Sequence, residues 1–311
     1  MEIKYYEINY KNFGNCLKIN NDFIELIVSL DFGPRILSYK LLNFDNIFYE
    51  DIDRELTFSF DNFSKFNLNK NEKWTLYGGH RLWIAPESSP HTYYPDNIKI
   101  SYEVKDNIFS FIEPIENYLN IQKIIEIEII DSKVNLNHKI YNYNAFEIKL
   151  TPWTISAMKG GGMSLVPLPK KNTTPLENTL IKFWPYNDFN DERFKFVNDF
   201  AILEQNHKIN SAFKYSINNE SGQAFYFIDN FVFLKQCNPS KDNLITNYES
   251  YTNKDFLEME FIGKTEYIPS DSYILFKETW NLFTIKNFLK QNFVDIKKFK
   301  EALKFGFEHM L

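Results

Sequence analysis

The stretch Gln223-Ala224-Phe225-Tyr226-Phe227-Ile228-Asp229-Asn230-Phe231-Val232-Phe233-Leu234-Lys235-Gln236 decides the class of fold. Aromatic and β-branched residues fill two short runs, and the two turn-forming residues Asp229 and Asn230 separate them at the spacing of a tight hairpin. The same grammar extends outward in both directions. Residues 119–130 and 133–141 flank Asp131-Ser132, after strand-like runs at 98–104 and 108–112. Residues 23–29 turn through Asp31-Phe32-Gly33-Pro34 into 35–41, and 46–49 reads as a short third strand. Residues 146–150 run into Thr151-Pro152-Trp153-Thr154, followed by 165–168, while 249–262 and 273–283 close the series. Short extended runs broken by Asn, Asp, Gly and Pro predict an antiparallel all-β domain.

Only residues 285–309 carry a helical period, with Ile285, Phe288, Leu289, Phe293, Ile296, Phe299, Leu303 and Phe307 at three- and four-residue spacing. The expected organisation is one large β-sandwich over residues 1–284, with a C-terminal amphipathic helix over 285–311 packed on its outside. Residues 50–76 and 170–200 read as long irregular excursions, and long loops in compact domains are often functional. No internal repeat is visible.

Composition narrows the function. A chain of 311 residues with 44% apolar content buries a large core, and a net charge of −6 offers no broad attraction for nucleic acid or an acidic membrane. Only Lys290, Lys297, Lys298, Lys300 and Lys304 make a locally basic stretch. Cys16 and Cys237 are too few for a disulfide framework. The N-terminus lacks the apolar run of a signal peptide, and no run of 18 apolar residues suggests a membrane span. A cytoplasmic protein without nucleic-acid or membrane partners is the expectation.

Candidate chemistry centres on Tyr77-Gly78-Gly79-His80-Arg81-Leu82-Trp83-Ile84-Ala85-Pro86-Glu87. A histidine that exchanges protons near neutral pH, an arginine fork and an indole face follow two glycines, a set suited to a polar ring. The competing reading is a tight turn beside a strand, with Trp83 buried and His80 and Arg81 holding loop backbone. In Phe256-Leu257-Glu258-Met259-Glu260-Phe261-Ile262, alternation puts Leu257, Met259 and Phe261 on the core face. Glu258 and Glu260 share the other face, about 7 Å apart along the strand. If partly buried, either glutamate is a candidate general base.

His138 shares a face with Val134, Leu136 and Ile140 and reads as a hydrogen-bonded core residue, whereas His91 lies in a proline-bounded loop and is a second-rank candidate. His207 and His309 read as surface residues. No histidine pair has a helical or strand spacing suited to a metal, so no metal site is expected. Trp153 reads equally as a stacking platform or a core plug, and Lys214, Lys235 and Arg193 fall at or near predicted strand ends. The glycine run Lys159-Gly160-Gly161-Gly162-Met163 lacks the lysine-serine ending of a phosphate-binding loop.

With these residues in view, the chain resembles the galactose-mutarotase-like superfamily and, within it, a domain-of-unknown-function branch (DUF4380). The resemblance rests on Gly33-Pro34-Arg35-Ile36-Leu37, the segment 78–87, the Pro152-Trp153-Thr154 corner with Gly161-Gly162, the segment 249–260 and Glu278-Thr279-Trp280. It implies a large antiparallel β-supersandwich with a sugar site on its concave sheet and no cofactor. It also implies ring opening, with a glutamate taking the anomeric proton and a histidine protonating the ring oxygen. Carried onto this chain, Glu260 or Glu258 is the base candidate and His80 the acid candidate. Arg81, Trp153 and Lys214 would bind hydroxyls or stack, with Arg35, Trp83 and His91 as further substrate-binding candidates. Aldose epimerases carry a second histidine in an Asn-His-x-Tyr-Phe-like strand, which Asn137-His138-Lys139-Ile140-Tyr141 echoes loosely.

Three functions follow. The first is an aldose-1-epimerase-like enzyme acting on a sugar or sugar derivative. The second is a carbohydrate-binding protein without turnover. The third is a lyase or hydrolase on an acidic polysaccharide, which needs a local basic patch around Arg35, Arg81 and Arg193.

Overall fold

Strands dominate because the apolar side chains recur at period two and the turns fall where Asn, Asp and Gly accept a left-handed backbone. A computed structural model describes residues 2–59, 72–239 and 245–284. Two large antiparallel sheets, of 11 and 10 strands, make up nearly all of it. This is the all-β architecture expected from the pattern; the helix expected over 285–309 lies outside the described residues.

The chain forms two compact units. Residues up to Asp131, with Asn135–Ala157 and Glu260–Lys277, make the first; Ser132–Val134, Met158–Met259 and the chain from Glu278 make the second. In the first unit a meander of β1 (Lys4–Asn9), β2 (Asn15–Asn20), β3 (Ile24–Ser29) and β4 (Ile36–Leu41) opens one sheet. The short strands β5 (Thr57–Phe58) and β6 (Trp74–Thr75) pair with each other, and β7 (His80–Ala85) then joins β4. A second meander, β8 (Ser101–Lys105), β9 (Ile108–Ile112), β10 (Ile121–Ile130) and β11 (Lys133–Asn142), builds the other sheet. The chain returns through β12 (Ile148–Lys159), which pairs with β7 in the register Ser156↔His80, Ile155↔Arg81 and Trp153↔Trp83.

The second unit contains β13 (Met163–Pro167), β14 (Ile181–Phe183), β15 (Phe194–Val197), β16 (Phe200–Glu204), β17 (Phe213–Ile217), β18 (Gln223–Ile228), β19 (Phe231–Cys237) and β20 (Tyr248–Thr252). One of its sheets runs β15-β16-β13-β18-β19 and the other β14-β17-β20. Of the last three strands, β21 (Phe256–Ile262) lies beside β20 in this unit and beside β12 in the first. The strand β22 (Glu266–Ile268) pairs with β12, and β23 (Ser272–Thr284) joins β19 here and β11 in the first unit.

Several departures from the sequence reading have physical causes. The edge strand β1 is almost wholly exposed and so carries no period-two signal. The strand β7 is buried on both faces, which erases alternation; His80 and Arg81, read either as site residues or as ties on loop backbone beside a strand, lie within a central strand. Residues 249–262 are two strands around an Asn253 turn, and 170–200 contains β14 and β15. Residues 46–49 make no regular strand. The two glycines before β7 serve a close approach: Gly78 has φ +88° and Gly79 φ +65°, and a Cβ on Gly79 would collide with the Ile36 carbonyl.

Candidate functional site

Because β7 alternates, its consecutive residues divide between the two faces of its sheet. His80 points inward, toward the other sheet of the first unit. Its Nδ1 lies 2.9 Å from Ser156 Oγ and its Nε2 2.8 Å from His138 Nε2, and both rings are fully buried. The His138 Nδ1 lies 3.2 Å from the Phe276 carbonyl, so this nitrogen carries the proton and donates. Packing of the two sheets of the first unit therefore creates a histidine pair that no spacing within either strand reveals. To share one tetrahedral zinc-sized ion, the two Nε2 atoms would have to separate to about 3.4 Å.

Arg81 and Trp83 point to the opposite, outward face. The Arg81 guanidinium sits 4.2 Å from the Trp83 ring centroid and 5.7 Å from that of Trp74. Trp153, directly across from Trp83, meets it edge-on with centroids 5.5 Å apart, and its Nε1 donates to Glu260 Oε2 at 3.0 Å. Tyr93 closes this aromatic group, edge-on to Trp74 and Trp83 at 5.3 Å each. Glu260 has no exposed surface and Trp153 only 3%, so the solvated polar face that β21 alone suggests is excluded. The indole N–H fixes the orientation of this buried carboxylate, and a proton-accepting group has to be held in place within reach of the proton it takes.

The other expected site residues fall elsewhere. Arg35, just before β4, reaches Asp96 at 2.6 Å. Burial lowers the Arg35 pKa, Asp96 opposes that shift, and the charge of Arg81 adds to it. His91 lies exposed in its loop, 3.2 Å from the Tyr118 hydroxyl. Glu258 and Lys214 belong to the second unit. There Lys214 is buried, paired with Glu249 at 2.7 Å and 4.9 Å from the Trp184 ring centroid. Arg193 clasps Asp191 at 2.6 Å, and Lys235 is buried against Glu278 at 3.3 Å. The geometry thus joins Arg81, Trp83, Trp153 and Glu260 and puts His80 on the other side of their sheet.

Sequence reasoning missed a buried acid cluster in the first unit. Lys123 lies 3.3 Å from Glu113 and 3.5 Å from Glu116. Burial raises the Glu113 pKa from 4.5 to about 7, against the opposing attraction of Lys123. A signal was available: Glu113 continues the inward set Phe109 and Phe111, and Lys123 stands within the inward set Ile121, Ile125 and Ile127. A charge in register with an apolar stripe marks a buried pair.

No family model matches the chain, and no curated protein does. Solved structures share its fold. A galactose mutarotase-like protein from Lactobacillus casei superposes with a TM-score of 0.53 at 10% identity, covering 86% of this chain and 100% of that one. A putative mutarotase from Salmonella typhimurium gives 0.52 at 11%, covering 87% and 90%. A putative aldose 1-epimerase from Escherichia coli gives 0.50 at 8%, covering 91% and 100%. The fold is galactose mutarotase-like. Among the described residues no helix is long and apolar enough to cross a membrane.

Proposed function

We propose that the outward face of β7, β12 and β21 in the first unit is a carbohydrate site. In this reading the chain is an aldose-1-epimerase-like isomerase of the mutarotase-like class, in the DUF4380-type branch. The observation that carries it is Glu260, a fully buried carboxylate oriented by the Trp153 N–H on the same sheet face as Arg81 and Trp83. Indole faces suit the C–H side of a sugar ring, and the guanidinium fork suits its oxygens. Glu260 takes the proton of the anomeric hydroxyl, whose oxygen becomes the carbonyl oxygen of the open-chain aldehyde, while the bond from the anomeric carbon to the ring oxygen breaks and the ring oxygen takes a proton from water. Rotation and reclosure on the other face return both protons and give the opposite anomer.

A second reading, a sugar-binding protein without turnover, is supported by the place of His80. The residue that the resemblance makes the acid is bonded to Ser156 and His138 on the inward face, away from Glu260. Magnetisation-transfer NMR across hexoses, pentoses, uronic acids and sugar phosphates separates the two. Anomer exchange above the buffer rate, lost in Glu260→Gln with binding retained, supports the enzyme. Binding without exchange leaves the non-catalytic protein, and neither one rejects the site.

A further inference from the structure

The inward pair His80 and His138 plays no part in the sugar chemistry, and its geometry points to another use. Each ring is held at Nδ1 by an oxygen from the strand beside its own. His80 Nδ1 meets Ser156 Oγ at 2.9 Å, across the register that sets Ser156 opposite His80. His138 Nδ1 donates to the Phe276 carbonyl of β23 at 3.2 Å, and β23 lies beside β11. An oxygen at Nδ1 favours the tautomer with its proton there, which bares the lone pair of Nε2. The two Nε2 atoms face each other 2.8 Å apart. Two bare lone pairs at that distance repel, so without a cation one Nε2 keeps a proton. Since His138 Nδ1 holds its own, that proton sits on His80 Nε2, and the Ser156 hydroxyl donates to His80 Nδ1. A cation between the rings removes the conflict and lets both oxygens accept from an Nδ1–H.

We propose that His80 and His138 are two ligands of one transition-metal cation of the zinc class. Imidazole nitrogen is a preferred donor for such ions. The ligand atoms already lie close enough to share one ion. Opening the pair from 2.8 Å to about 3.4 Å, a change of about 0.6 Å, suits tetrahedral bonds to zinc. Metal-binding histidines commonly have the other ring nitrogen fixed by an oxygen, as both rings here do. The expectation of no metal site rests on spacing within single strands, whereas this pair is made between two sheets. The ion would clamp β7 to β11 and so tie together the two sheets of the first unit. It would sit on the opposite face of β7 from Arg81 and Trp83, so the inference stands apart from the carbohydrate reading.

The test uses Co(II) as probe in the intact chain, with Zn(II) as competitor. One equivalent of Co(II) should give the intense visible bands of a four-coordinate ion, and Zn(II) should bleach them. His138→Gln should weaken binding about tenfold or more, and His207→Gln should leave it unchanged. Because a core variant risks misfolding, the parent chain supplies an independent readout. In long-range proton–nitrogen correlation spectra, Zn(II) should move the Nε2 resonances of His80 and His138 together and leave both rings as the Nδ1–H tautomer. A pale six-coordinate Co(II) spectrum, or binding unchanged in a folded His138→Gln variant, overturns the proposal. So do shifts confined to His91, His207 or His309, or no shift at saturating Zn(II). Each of those results leaves His80 and His138 a hydrogen-bonded core pair.

Discussion

Glu113→Gln tests the buried acid cluster, and its effect depends on pH. The carboxyl pKa rises from 4.5 to about 7 because burial favours the neutral form. A raised folded-state pKa means the folded chain holds the proton more tightly than the unfolded one. The stabilisation is therefore complete below pH 4.5 and is lost as pH climbs through 7. A shift of this size corresponds to about 3 kcal/mol in full, most of which falls between pH 5 and pH 8. Glutamine resembles the protonated acid and does not titrate, so the variant should change little at pH 5. At pH 8 it should gain about 2–3 kcal/mol relative to the parent, by the same linkage. Glu116 is also raised by burial and attracted by the same lysine, so the parent's own slope contains more than one group. Urea unfolding followed by tryptophan fluorescence at the two pH values measures it. A stability difference that is the same at pH 5 and pH 8 would refute the reasoning.

Asp96→Asn leaves the buried Arg35 guanidinium without its 2.6 Å carboxylate, and breaking a buried pair costs about 3–5 kcal/mol. The drop in urea midpoint should be larger than for Lys195→Ala, whose partner Glu204 is at 2.5 Å on the surface. Gly79→Ala puts a Cβ against the Ile36 carbonyl at φ +65°, so soluble yield and thermal midpoint should both fall; a melting curve equal to the parent's would contradict the strand placement.

Much of the fold is present in the order of residues. The two-residue turn Asp229-Asn230 between aromatic runs places β18 and β19, and the run 108–112 places β9, each to within a residue, because a half-buried strand must alternate and a hairpin must turn. Alternation in residues 256–262 also puts Glu258 and Glu260 opposite Leu257, Met259 and Phe261. What one strand cannot tell is whether its polar face meets water. Only the packing against Trp153 made Glu260 a buried carboxylate. The same limit explains β7. His80 and Arg81 are neighbours in the chain, and reading them as one constellation is natural, yet a strand sends neighbours to opposite faces. Its two buried faces hid that His80 and Arg81 already belong to the strand. Packing of the other sheet then gave His80 a partner 58 residues away, and pairing with β12 gave Trp83 its contact with Trp153. Composition and period determined that this is an all-β chain with aromatic and carboxylate-bearing strands. Which side chains meet was decided by register and sheet order, which depend on contacts distant in sequence.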